Sequence, residues 1–177
     1  MDLRISLPYN KKNINIPIPA KNLAGVITPR TTSSLKDLPQ AIHNTLDHPL
    51  DSPSLEDFLQ KGDKVAIIVS DITRYTGAHL FLPHLIRRIT SRGIQEEKIT
   101  IVFSLGIHRP MTPEVQKKIV GVETAGRILL ENHNSNDENQ LTSLGKTKRG
   151  TPVAINRRVA EADKVILTGT IGFHYLA

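Results

Sequence analysis

Three short polar clusters in this sequence hold residue types suited to proton transfer and anion binding. They are Ser70-Asp71-Ile72-Thr73-Arg74, Gly106-Ile107-His108-Arg109-Pro110 and Gly172-Phe173-His174. Imidazoles such as His108 and His174 exchange protons near neutral pH. Arg74 and Arg109 offer planar forks for a carboxylate or phosphate. Asp71 can orient either kind of partner, with the Ser70 and Thr73 hydroxyls beside it. None of these clusters is a strong motif alone, and the signal is their shared position. Each follows directly on an apolar run of strand length.

Other chemistries fit poorly. Ser70, His108 and Asp71 have the composition of a hydrolase triad, but Ser70 has no nucleophile-elbow setting and nothing indicates an oxyanion hole. Leu144-Gly145-Lys146-Thr147 resembles the end of a phosphate-binding loop. The glycine required five positions before Gly145 is Gln140, however, and no apolar strand precedes it. Gly145 and Gly150 read as turn glycines. There is no Cys, no His-x-His, no H-E-x-x-H and no carboxylate cluster at ligand spacing, so no metal site is expected in this chain. His43, His48, His79, His84 and His133 read as surface, loop or helix positions without a role.

The elements that must position these clusters follow from periodicity. Residues 64–70, 98–106 and 164–172 are continuous apolar runs, expected as buried strands. Lys64 and Lys98 are far enough apart for a βαβ unit of ~30 residues. Helices are expected over 82–93, with Pro83 near the start and Gly93 as its stop, and over 112–121, capped by Thr112. Residues 37–46 read as a helix capped by Asp37. A second short helix runs from Ser52 or Ser54 to Gly62. A weaker strand is expected over 126–133, a loop over 134–140, a turn into a strand over 148–156 and two helical turns over 157–163. At the N-terminus, alternating segments flank a turn at 10–13. Pro17 and Pro19 put the second segment at an edge, and the Thr/Ser-rich stretch 31–36 reads as a linker. The sum is an α/β fold, Rossmann-like, with a mixed, largely parallel sheet flanked by helices and a small N-terminal β segment. Open sheets of this class bind ligands beyond the carboxyl ends of their strands. Parallel strands would gather the three clusters on one edge.

Composition agrees with one domain of ordinary size. The chain has 177 residues, 23 basic against 17 acidic, for a net charge of +6. That balance invites an anionic partner. The basic residues are scattered apart from the 146–158 stretch, and aromatics are only 4% with no Trp. Stacking platforms for nucleic acid are therefore scarce, and nucleic acid is not the expected partner. No signal peptide is read, and no apolar run approaches the ~18 residues of a membrane span. A cytoplasmic location is expected, with no membrane partner.

At SDITR, GIHRP, NH, LGKTKRGTPVAIN, ADKVILTG and GFH, in this order, the chain resembles the amino-terminal domain of the nickel-dependent lactate racemase family. The resemblance spans residues 3–177. Tyr75 stands where the family has Pro, Ile107 where Thr is usual, and Phe173 where Pro is common. The resemblance implies a nickel pincer nucleotide, a pyridinium-derived ring with sulfur arms and a phosphate. Such a cofactor accepts a hydride from the α-carbon of a small 2-hydroxy acid and returns it to either face of the keto intermediate. It further implies that His108 and His174 are the catalytic acid/base pair, one base for each enantiomer's hydroxyl. Asp71, Thr73 and Arg74 match an Asp-x-Thr-Arg element that anchors substrate or cofactor, and Arg109 joins them as a binding residue. The family's tethering Lys, nickel-ligating His and carboxy-terminal domain follow the region matched here. Residues 1–177 are thus expected to be a single α/β domain, truncated and inactive alone, that needs the missing domain or a partner chain. A reading of another class is a stand-alone carboxylate- or nucleotide-binding module, whose binding would survive loss of both histidines.

Overall fold

Strict alternation of aliphatic and polar residues near the N-terminus builds a hairpin of β1 (Asp2–Tyr9) and β2 (Lys12–Pro19), paired antiparallel. Its loop is Asn10-Lys11 alone, tighter than the 10–13 turn expected. Asn10 takes φ +54°, a conformation asparagine tolerates. Pro17 and Pro19 are accommodated because each strand of a two-stranded ribbon has an unpaired side. A computed structural model describes residues 2–27, 30 and 33–171, and the chain divides into two compact units between Lys36 and Asp37. The hairpin lies in the first unit.

In the second unit, Asp37 caps α1 (Leu38–Asp47) by accepting the Gln40 N–H at 2.9 Å. Ser54 likewise caps α2 (Leu55–Phe58). This helix stops short of the expected Gly62, because Leu59 turns extended and is buried. Six strands follow: β3 (Val65–Ser70), β4 (Ile99–Ser104), β5 (Leu129–Asn132), β6 (Leu141–Lys146), β7 (Pro152–Asn156) and β8 (Lys164–Leu167). The main sheet has the order β5-β4-β3-β8, with every pairing parallel. The helices between them are α3 (Ala78–Ser91), α4 (Pro113–Val120), α5 (Val122–Arg127) and α6 (Arg157–Ala160).

Several boundaries differ from expectation, each for a local reason. Helix α3 begins at Ala78, after Gly77 at φ +71°, so Pro83 lies inside it instead of near its start. The proline leaves the His79 carbonyl without its helical donor. Gly121 at φ +88° approaches this turn so closely that a Cβ there would meet the His79 Cβ at 3.4 Å. The weak strand shrinks to β5 because Gly126 and Arg127 belong to α5, an element the sequence reading did not contain. The third apolar run yields only four strand residues, and its pairing with β3 ends at Ile68 opposite Leu167. One turn of α6 replaces the two expected. Strand β6 was also unexpected, since its residues are mostly exposed and form no apolar run. Gly145, at φ +94°, sits at a bulge in the β6–β7 ribbon and not in a turn.

The main hydrophobic cluster lies on one face of the sheet. Val65, Ile67 and Val69 of β3 and Ile99, Ile101 and Phe103 of β4 face Leu82, Leu85, Ile86 and Ile89 of α3 and Ile119 and Val120 of α4, all buried. Both crossovers lie on this face, as right-handed βαβ connections running in one direction require. From β5 the chain returns through β6, β7 and α6 to β8, on the far side of β3. Strand order therefore reverses at β3, which puts a topological switch point at its carboxyl end. Among the described residues no helix is long and apolar enough to cross a membrane.

Candidate functional site

Because β3 and β4 are parallel and in register from Val65 opposite Ile99 to Ser70 opposite Ser104, the segments that leave them emerge side by side. After β3 the chain makes a 3-10 turn over Ile72–Arg74, headed by Asp71. The Asp71 carboxylate caps this turn with one oxygen, which accepts the Thr73 N–H at 2.9 Å and the Thr73 O–H at 2.6 Å. After β4, Leu105 plunges into the core and Gly106 at φ +57° reverses the chain. The His108 N–H closes that turn on the Leu105 carbonyl at 3.0 Å. The two segments meet where His108 Nδ1 bonds to the second oxygen of Asp71.

Asp71 is only 3% exposed, whereas the His108 side chain is half exposed. Burial pushes the Asp71 carboxyl up. The Thr73 hydroxyl, His108 and the Thr73 amide together outweigh burial and hold it below the usual carboxylate range. An ionised carboxylate can only accept, so Nδ1 of His108 carries the proton and donates it to Asp71. The neutral imidazole then has its lone pair on Nε2, the nitrogen directed away from the pair. This is the arrangement of an oriented general base.

The structure thus joins Asp71, Thr73 and His108. Arg74 and Arg109 are exposed on the same two connections, and Arg109 makes no ion pair among the described residues. Ser70 is half-buried at the end of β3, opposite Ser104, whose hydroxyl donates to the Val69 carbonyl at 3.3 Å. His174, with Gly172 and Phe173, lies outside the described residues.

Two contributions escaped the sequence reading. Asn132, at the end of β5, donates its amide to the Met111 carbonyl at 2.8 Å and ties down the segment that carries His108. Its Oδ1 and the Nδ1 of adjacent His133 are buried without a hydrogen-bond partner. The only hint was position, since Asn132 ends β5 and His133 follows it on the carboxyl edge. Tyr75, for its part, has φ −57°, within proline's range, and its hydroxyl lies 2.9 Å from Nδ1 of His79. A hydrogen bond and a stacked ring pair hold this connection, where the family resemblance led us to expect Pro.

Among the described residues no group of three or more His, Asp or Glu could hold a metal ion. The site instead offers an oriented base with exposed cations nearby, a set suited to a small carboxylate or phosphate whose proton must be moved.

Comparison with known proteins agrees with this fold. The sequence profile described as lactate racemase N-terminal domain matches residues 9–177. Among curated relatives, a lactate racemase of Lactiplantibacillus plantarum is 31% identical over 175 residues, covering 98% of this chain and 41% of the relative. A lactate racemase of Thermoanaerobacterium thermosaccharolyticum is 23% identical over the same shares of each chain. The solved lactate racemase apoprotein from that organism superposes with a TM-score of 0.78 at 22% identity, over 93% of this chain and 38% of its own. A Thermotoga maritima protein follows at 0.56 and 20% identity, over 73% of this chain and 32% of its own. The chain therefore spans about 41% of the curated relatives it matches, and it belongs to the lactate racemase N-terminal domain family.

Proposed function

We propose that residues 1–177 act as the amino-terminal catalytic domain of a cytoplasmic racemase for a small 2-hydroxy acid of the lactate type. The observation that carries this reading is the enclosed, ionised Asp71 fixing His108 with Nε2 outward. His108 takes the hydroxyl proton of one enantiomer and returns it in the reverse direction. His174 serves the other enantiomer, whose hydroxyl points differently from a fixed hydride acceptor. Arg74 and Arg109 hold the substrate carboxylate or an anionic cofactor group, and Thr73 fixes the charge and direction of Asp71. The nickel pincer nucleotide supplies the hydride acceptor for the α-carbon when bound. The family resemblance places the nickel-ligating His and the tethering Lys after the region matched here, so this chain alone is expected not to turn over.

The test is racemisation followed from each enantiomer separately, with this chain in a complete, cofactor-loaded enzyme. His108→Ala and His174→Ala are each expected to lower turnover by about 10²-fold or more, with opposite preference between the enantiomers. Negligible or equal effects would remove both histidines from proton transfer. Carboxylate or nucleotide binding that survives both substitutions, without turnover, would leave a binding module.

A further inference from the structure

The stretch from β4 to α4 is buried at both ends and exposed between them. Leu105 and Met111 are 2% and 9% exposed, and every residue from 106 to 110 is exposed. At the near end, the His108 N–H closes its turn on Leu105, and the His133 N–H donates to the Phe103 carbonyl at 3.2 Å. At the far end, among the described residues, one polar contact holds the backbone. It is the 2.8 Å bond from the Asn132 amide to the Met111 carbonyl. Strand β5 is a firm base for that bond because it is held on both faces. Leu130, on the face of Asn132, packs against the core. Glu131, on the other face, accepts the Asn156 amide at 2.8 Å and pairs with Arg158.

Stability alone does not explain an asparagine here. Its Nδ2 faces the Met111 carbonyl, which leaves Oδ1 buried with no donor. Turning the amide over would set Oδ1 against the carbonyl oxygen. A buried acceptor left unpaired is unfavourable, and an apolar residue of the same shape would not incur that penalty. What the amide secures is the far end of the span whose middle brings His108 to Asp71.

We infer that Asn132 is a positioning residue for His108, fixing the span on which His108 keeps Nδ1 on Asp71 and Nε2 free. The inference deepens the proposed function and rests on it for catalytic meaning, but the positioning itself can be read without turnover. Asn132→Leu removes the donor and the unpaired acceptor together while nearly keeping the side chain's shape. Nitrogen-15 NMR of this chain at about pH 8.5 reads the His108 tautomer, and denaturant unfolding reads stability. In Asn132→Leu the ratio of Nδ1–H to Nε2–H at His108 should fall about fivefold or more, while the midpoint holds or rises. Ile89→Val, a core change that touches no residue of this span, should lower the midpoint and leave the ratio unchanged.

An unchanged ratio in Asn132→Leu would overturn the inference, whatever the midpoint does. A ratio that falls in Ile89→Val as well would also overturn it, because the tautomer would then follow stability in general. Asn132→Ala replaces Asn132→Leu if circular dichroism shows that the latter does not fold. In the complete, cofactor-loaded enzyme, Asn132→Leu should lower kcat by about tenfold for the enantiomer that depends on His108, with KM little changed. A tautomer shift with turnover unaltered from both enantiomers would count against the proposed function and not against the positioning.

Discussion

A carboxylate as enclosed as Asp71 keeps its charge only where donors replace the water it has lost. Thr73 supplies two donors and His108 a third, and the result is a carboxyl held below its usual range despite burial. The sign of the pH dependence follows. A depressed native pKa contributes stability that is fully present above the unfolded value of ~4 and is lost as pH falls through the native value. Asp71→Asn should therefore destabilise the chain near pH 7 by about 1–3 kcal/mol, since donors lose a charged acceptor. The gap from the unsubstituted chain should narrow below about pH 4. Denaturant midpoints measured across that range check both statements, and a gap independent of pH would show that Asp71 is not ionised in the native state. In the complete enzyme, Arg74→Lys should weaken substrate or cofactor binding while charge is retained, because the planar fork is lost; an unchanged KM and cofactor affinity would argue against anion holding by Arg74.

The elements that present this pair were legible in proportion to their burial. Strands β3 and β4 appear as nearly unbroken apolar runs because one face packs on the helices and the other is still largely buried, as at Ala66 and Val102. Their carboxyl ends could therefore be found from sequence, and with them Asp71 and His108. What could not be read was the bond between the two residues, which depends on register and on the Gly106 reversal. Strand β6 and helix α5 escaped because a mostly exposed ribbon and a short polar helix leave no periodic signature. Asn132 escaped because its work is to hold a neighbouring loop. Gly106→Ala should cost about 1–2 kcal/mol, since φ +57° is unfavourable for a residue with a Cβ. In the complete enzyme it should also lower turnover beyond what stability explains, as His108 sits two residues later. Arg88 of α3 joins Asp47 of α1 and Glu56 of α2. With those partners partly exposed, Arg88→Lys should cost about 1 kcal/mol or less, a difference that thermal unfolding at low and high salt will resolve.

At the scale of the whole molecule, a chain of the lactate racemase N-terminal domain family has its topological switch point at the carboxyl end of β3, where open α/β sheets bind ligands. The sheet edge brings the Asp71–His108 pair close to the connections that carry the exposed Arg74 and Arg109. The tautomer of His108 tests the centre of the account most directly, because it can be read on this chain without cofactor or substrate. Nitrogen-15 NMR of the imidazole at about pH 8.5, well above an ordinary histidine pKa, should show the proton on Nδ1 and a bare Nε2. In Asp71→Asn that preference should be lost. A proton on Nε2, or a tautomer indifferent to Asp71→Asn, would contradict the claim that Asp71 holds His108 as a base.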